Sequence, residues 1–293
     1  MKNKFYRKCA ELLSSSLFGI SLEFFVVHFY ESYHYSANFI FQLDSAPNNV
    51  PIVIGLCWGM IIFTSMKISD IYNFPLWSRP LFDGLLALTI DLSMDAIAIR
   101  LEGGFWTWNL PLINNMTNES FFGVPYGNFT GWFLIVLTYS SVIRISRLIW
   151  KEEKLTISSS IYFLIMPIFS YLLFILSNGI FWTIISLFWH TIGFRSDNLA
   201  FGAVIITLLV SGLINLFFYL NLSEKIPKNF DVQSSLLFLS FHCFFLISYL
   251  WLNLIQVIPI VFLVGIINLL IDLLIHIRIT DFKLVNKRLR TIY

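Results

Sequence analysis

The chain has 293 residues, of which 57% are hydrophobic, 18% aromatic and only 12% charged. Soluble domains carry about 25% charged and about 45–50% apolar residues, so a soluble enzyme is excluded, as are disordered and collagen-like chains, and an all-α polytopic membrane bundle remains. The formal net charge of +2 is spread through short loops and not gathered in a stripe, which argues against a nucleic-acid partner.

The first residues, Met1 to Lys8, are basic. Glu11 and Glu23 interrupt the apolar stretch that follows, and no small-residue cleavage site appears, so the segment reads as a first span and not as a cleavable signal. A crossing helix needs about 20 mostly apolar residues. Eight spans are predicted near 10–30, 50–70, 80–101, 129–149, 157–177, 199–221, 233–252 and 256–277. A leftover apolar piece, Gly179 to Gly193, is short of the spanning length and is expected to be re-entrant or to lie on the outer face.

Loop charges support that count. Lys2, Lys4, Arg7 and Lys8 fall on the same side as Lys67 with Arg79, as Arg144, Arg147, Lys151 and Lys154, as Lys225 with Lys228, and as the tail Arg278 to Arg290, provided that 179–193 does not cross. The positive-inside rule then puts both termini in the cytoplasm, and a plasma membrane is the expected location. Arg195 is the one basic residue on the other side. Segments 31–49 and 102–128 contain no Lys or Arg and belong to the outer face. Asn115, Asn118 and Asn128 begin triplets of the glycosylation type, a common pattern in an Asn-rich chain. No repeat or long linker divides the sequence, which reads as a single domain over 1–293. Cys9, Cys57 and Cys243 lie far apart, in neither a zinc nor a disulfide pattern, and read as small buried apolar residues.

Ionisable groups inside a span are costly and point to function by default. The third span carries Asp83, Asp91, Asp95 and Arg100, with Glu102 just after; the first carries Glu23 and His28. At 100° per residue Asp91 and Asp95 share a face and Asp83 lies within about a third of a turn of it. Glu23, His28, Asp95, Arg100 and Glu102 all reach the same outer depth. Interhelical hydrogen bonding without chemistry is the competing account of any one member. His242 reads as a packing residue, and Asp272 and His276 as solvated at the inner headgroups. Beside the acids stand two glycine-punctuated aromatic segments, Gly103 to Asn109 and Phe121 to Trp132. Their irregular backbone is tolerable at membrane depth only when buried in protein or lining a cavity.

The five histidines form no clustered ligand set of the di-iron hydroxylase kind. No lysine sits within the last spans, which excludes a retinal Schiff base, and no phosphate-cradling glycine loop opens a helix. Asp70, followed by Asn73 and Arg79, resembles faintly the aspartate-rich loop of intramembrane prenyltransferases but lacks the further acids that magnesium needs.

The run Leu88 to Ala98 containing Asp91 and Asp95, then Trp106-Thr107-Trp108, then Gly123-Val124-Pro125 and Asn128-Phe129-Thr130-Gly131-Trp132, resembles the carotenoid biosynthesis membrane protein family, whose characterised members are carotenoid 1,2-hydratases, including bisanhydrobacterioruberin hydratase. Glu23, Tyr33-His34-Tyr35, Val50-Pro51 and Trp58 extend the likeness upstream. The chain departs from the family pattern at His28 to Ser32 and at Asp95-Ala96, which leaves a related isoprenoid open as substrate.

The resemblance implies addition of water across the terminal trisubstituted double bond of an acyclic carotenoid. Such an alkene needs a placed acid and a shielded tertiary cation. Burial disfavours the anion of a carboxyl, and paired carboxyls divide into one protonated and one ionised. On this account Asp95 is the acid, Glu23 or Asp91 its partner, Arg100 tunes the pair and Asn128 positions water. Trp106, Trp108 or Tyr126 stabilises the cation, while His28, Glu102 and Trp132 complete the substrate surface. No cofactor or metal is expected; the partners are a polyene or isoprenoid lipid and the bilayer. The competing class is a transporter or lipid-binding protein that uses the same acids for proton coupling.

Overall fold

The computed structural model describes residues 2–72, 74–101, 103–109, 119–149, 164–193, 198–220 and 233–274. Over these residues the chain is an all-α membrane-type bundle of α1 (Lys2–Phe25), α2 (Ile52–Ile71), α3 (Arg79–Ala98), α4 (Tyr126–Ile149), α5 (Met166–Thr191), α6 (Leu199–Leu220), α7 (Gln233–Trp251) and α8 (Pro259–Leu274). Five of these helices, α1, α2, α4, α5 and α6, are long and apolar enough to cross a membrane. α3 is as long as α2, but Asp83, Asp91 and Asp95 interrupt its apolar surface. The apolar stretches of α7 and α8 are shorter.

The expected break before Gly179 does not occur. α5 runs unbroken through it for 26 residues, about 39 Å at 1.5 Å per residue, so 179–191 is the second half of one helix and not a re-entrant piece. One helical glycine lowers local propensity by only about 1 kcal/mol, and the turn-forming Asn178 before it is outweighed by the apolar run on both sides. Glu102, Asn115, Asn118, Lys151, Lys154, Arg195, Lys225, Lys228, His276 and the tail from Arg278 lie outside the described residues.

Helices α1 and α2 pack along each other, α3 lies against α2 and α4, and α5 and α6 pack on α4. Small residues set the closest of these contacts. A Cβ added at Gly55 would fall 2.7 Å from the Ile20 backbone nitrogen, and one at Gly19 would fall 2.8 Å from the Gly55 carbonyl oxygen. Gly55 and Gly59, four residues apart on α2, let the two backbones approach, as in other membrane helix pairs. α8 docks on α3 through the Asn268 amide, which donates to the Thr89 carbonyl at 2.8 Å.

Arg144 and Arg147 do not lie in a loop. Both sit on α4 with side chains largely buried, in an ionic cluster that ties four helices at one end of the bundle. Arg144 pairs with Asp83 at 2.8 Å and with Asp70; Arg147 pairs with Asp70 at 2.9 Å and with Glu11 at 2.7 Å. Ser69 and Ser140 also donate to Asp83. Asp83 therefore belongs to this cluster and not to the Asp91–Asp95 set: twelve residues of helix put it about 18 Å from Asp95. Asp70, which the sequence likened to a diphosphate loop, is occupied by Arg79, Arg144 and Arg147.

The far end, where α1 and α3 finish and α2 and α4 begin, is capped by short strands. β1 (Tyr33–Tyr35) pairs antiparallel with β4 (Trp106–Trp108), Tyr33 opposite Trp108 and Tyr35 opposite Trp106. Strand side chains alternate between faces. His34 and Thr107 therefore face outward, while Tyr35, Trp106 and Trp108 are buried over the helix ends. β2 (Gln42–Leu43) pairs with β3 (Val50–Pro51), and β5 (Ser120–Phe121) with β6 (Val124–Pro125).

The remaining expectations fare unevenly. Cys9 and Cys243 are exposed and Cys57 half-buried, all three as free thiols, so they do not fill the core. Asp272 is buried, and neither carboxyl oxygen meets a partner among the described residues, in place of the headgroup solvation expected from its position near a helix end. His242 is buried with Nδ1 3.4 Å from the Ser93 hydroxyl.

Candidate active site

Glu23 sits three residues before α1 widens into a π-helical turn, Val26–Tyr30. Its carboxyl is buried, and three donors converge on it. Trp58 Nε1 of α2 donates to Oε1 at 2.6 Å; the Tyr35 hydroxyl donates to Oε2 at 2.6 Å, and the Tyr33 hydroxyl to the same oxygen. The tyrosines come from one strand because alternation places residues 33 and 35 on the same face. Burial, reinforced by the Glu23 charge, holds both phenols well above their ordinary value, so they remain donors.

Asp91 and Asp95 are buried one turn apart on α3. The Asn128 amide nitrogen in the first turn of α4 lies 3.1 and 3.0 Å from the two oxygens of Asp91 and 2.8 Å from Oδ2 of Asp95. One amide thus binds both carboxyls. Asp95 Oδ1, also buried, meets no partner among the described residues. A buried polar atom left unpaired costs about 1–3 kcal/mol, which marks this oxygen as one with a ligand to meet.

Asp95 and Glu23 line the same cavity of about 330 Å³. Trp106, Trp108 and Trp132 supply ring walls, and Trp58 lies against Trp132 with ring centres 4.1 Å apart. Ligand cavities run from about 300 to 1,000 Å³. This one is at the small end, with room for the end of a long lipid and not for its whole length.

The other predicted residues take different places. Asp91 does not line the cavity; it stands behind Asn128. Arg100 Nη1 donates to the carbonyls of Ala96 at 2.6 Å and Phe122 at 3.1 Å, which fastens the end of α3 to the β5–β6 hairpin leading into α4. His28 stacks on Phe24 and faces Asp44 across 3.2 Å, outside the cavity. Tyr126 is buried against Phe129 and Phe201 and does not line this cavity. Glu102 lies outside the described residues. Tyr33, Tyr35 and Trp58 are not marked outright by the sequence pattern as partners of Glu23. The Tyr-x-Tyr alternation was the available signal, since two inward phenols on one short strand must find an acceptor. Among the described residues, no group of three or more His, Cys, Asp or Glu could hold a metal ion.

A family model described as carotenoid biosynthesis protein matches residues 5–206. The chain belongs to that family. The matched stretch takes in α1 to α5, the capping strands, Glu23, Asp91, Asp95 and Asn128. No curated protein matches and no solved structure matches. Membership gives the chain a role in carotenoid biosynthesis, and its lipid-facing helices fit a hydrophobic isoprenoid substrate held in a membrane.

Proposed function

We propose that the chain, acting as one integral membrane domain, is a hydro-lyase that adds water across the terminal trisubstituted double bond of an acyclic carotenoid or related isoprenoid. The observation that carries this reading is the unpartnered Asp95 Oδ1 sharing a ring-walled cavity with Glu23. The cavity accepts an end group, and Asp95 donates its proton to the less substituted alkene carbon; the π pair forms the new C–H bond and leaves a tertiary cation. The faces of Trp106, Trp108 and Trp132 stabilise that cation. Water bonds to the cationic carbon and passes a proton to Glu23; Glu23 then releases that proton to solvent while Asp95 takes one up, so both acids are restored and the net change is one H and one OH added. Glu23 is favoured over Asp91 as the base because it borders the cavity, whereas both Asp91 oxygens face Asn128. Asn128 then orders the two aspartates, and Arg100 positions the hairpin that leads into the helix bearing Asn128. The Lys and Arg distribution supports a plasma-membrane orientation with both termini cytoplasmic and the capped end outside.

The test is expression in a lycopene-making bacterium. The expected product is a more polar pigment heavier by one water, lost in both Asp95→Asn and Glu23→Gln while protein levels hold. Conversion retained by both variants refutes the assignment, and unchanged pigment beside folded wild-type protein, with lycopene and with a longer acyclic polyene, refutes the hydratase reading.

A further inference from the structure

Glu23, Tyr33, Trp58, Trp108, Asn128 and Trp132 border two cavities, not one. The second, about 500 Å³, lies on the other side of this partition, against α1, α4 and Phe174 of α5. The rims differ in chemistry. The first cavity is edged by Val53 of α2 and Phe244 of α7, apolar side chains 46% and 51% exposed on the outer surfaces of their helices. The second is edged by Ser32, Asn109 and Gly127, all exposed at the capped end.

Two independent features suit the second cavity to water. Gly127 and Gly131 stand one turn apart on α4 and both line it, and a Cβ at either would meet nothing within 4 Å. Helical glycine costs about 1 kcal/mol against alanine; with no neighbour pressing on either residue, what they provide is the open space itself. The Trp108 indole N–H, in the partition, is buried and finds no acceptor among the described residues. A water held there would satisfy it.

We propose that the second cavity is a water inlet, which brings the hydrating water from the capped end to Glu23 while the isoprenoid end group arrives from the bilayer through the first. The inference rests on the hydration reading above and adds that water and substrate reach the acids from opposite sides. The chemistry gives it a distinctive signature. If protonation proceeds and water is withheld, the cation can only lose a proton, which regenerates an alkene without net addition.

The experiment uses full-length protein in membranes, an acyclic carotenoid, D2O and mass spectrometry. Wild type is expected to give a pigment heavier by one water that carries one carbon-bound deuterium, the hydroxyl deuterium being lost to exchange on extraction. Gly131→Leu, which fills the inlet, is expected to lower hydration by about tenfold or more while deuterium continues to enter the recovered alkene. Melting temperature and monodispersity in micelles report its fold; if it does not fold, Gly127→Leu, at the mouth of the same passage, takes its place. Hydration at the wild-type rate in the folded variant overturns the inlet, and so does a parallel fall in hydration and deuterium uptake. Absence of both in wild type defeats the hydration reading, and the inlet with it.

Discussion

Gly59 links the packing of α1 on α2 to the candidate site. A Cβ there would stand 2.2 Å from the Ser16 hydroxyl oxygen, 2.8 Å from the Ser16 backbone nitrogen and 2.9 Å from its Cα. The hydroxyl can rotate away; the backbone cannot. Carbon contacts settle at about 3.5–4.0 Å, so Gly59→Ala parts the helices locally by about 0.6 Å or more. Trp58, the preceding residue, donates to Glu23 over 2.6 Å, and the same displacement takes that bond to about 3.2 Å, the limit of a good N–H···O contact. Overpacking costs about 1–3 kcal/mol. A comparable loss at Glu23 lowers turnover by about ten- to a hundredfold, at 1.4 kcal/mol per decade. Thermal melting in micelles and pigment conversion measure the two effects. Gly179→Ala and Gly212→Ala are the controls: both positions are helical with nothing within 4 Å of an added Cβ, and each gains up to about 1 kcal/mol with conversion unchanged. Wild-type melting and turnover in Gly59→Ala would refute the reasoning, as would an equal loss in either control.

Four further outcomes are expected. Arg144→Met leaves the fully buried Asp83 without its cation and destabilises by about 3–5 kcal/mol, partly restored by adding Asp83→Asn; melting that is no worse in the single variant than in the double would contradict this. Asn128→Leu removes the one amide shared by Asp91 and Asp95 and lowers turnover by about a hundredfold, with protein level as the control. His28→Ala leaves turnover within about twofold, an exposed-pair effect, because its partner Asp44 lies outside the cavity; a hundredfold loss would return His28 to the substrate surface. The Tyr33 and Tyr35 phenols, held above their ordinary value by burial, give no alkaline limb to the pH–rate profile below about pH 10. Above that the unfolded chain ionises first, so the folded protein retains more protons and loses stability as pH rises; a phenolate absorbance band appearing at lower pH would show that the two are not buried donors.

The sequence was most readable where one local rule decides the outcome. Apolar runs of spanning length located the helices to within a few residues at most ends, and the shared face of Asp91 and Asp95 followed from helical pitch alone. Reading failed where the deciding partner is distant in the chain. Nothing near Arg144 or Arg147 announces that Glu11, Asp70 and Asp83 will surround them, so two basic residues at the end of a span passed for loop charges. Nothing near Glu23 announces Trp58, because the glycines that bring α2 close enough act only across the helix pair. Gly179 misled for the converse reason: taken alone it suggests a break, yet one glycine is too weak a signal to stop a 26-residue apolar helix.

The two polar ends of the bundle show why residue type alone could not separate scaffold from site. At one end four arginines, Arg7, Arg79, Arg144 and Arg147, meet three carboxylates, Glu11, Asp70 and Asp83, in pairs between 2.5 and 3.4 Å, or share them. A buried charge with its counter-charge in place is bound to its partner and resists change. At the capped end Glu23, Asp91 and Asp95 gather with only neutral donors, namely indole, phenol and amide groups, and one oxygen of Asp95 is left over. Neutral donors fix where a carboxyl stands without committing it to a cation, so a proton can still be given or taken there. The count of acids is similar at the two ends; the absence of a paired cation among the described contacts of Glu23 and Asp95 is what favours the second as the proposed site of chemistry.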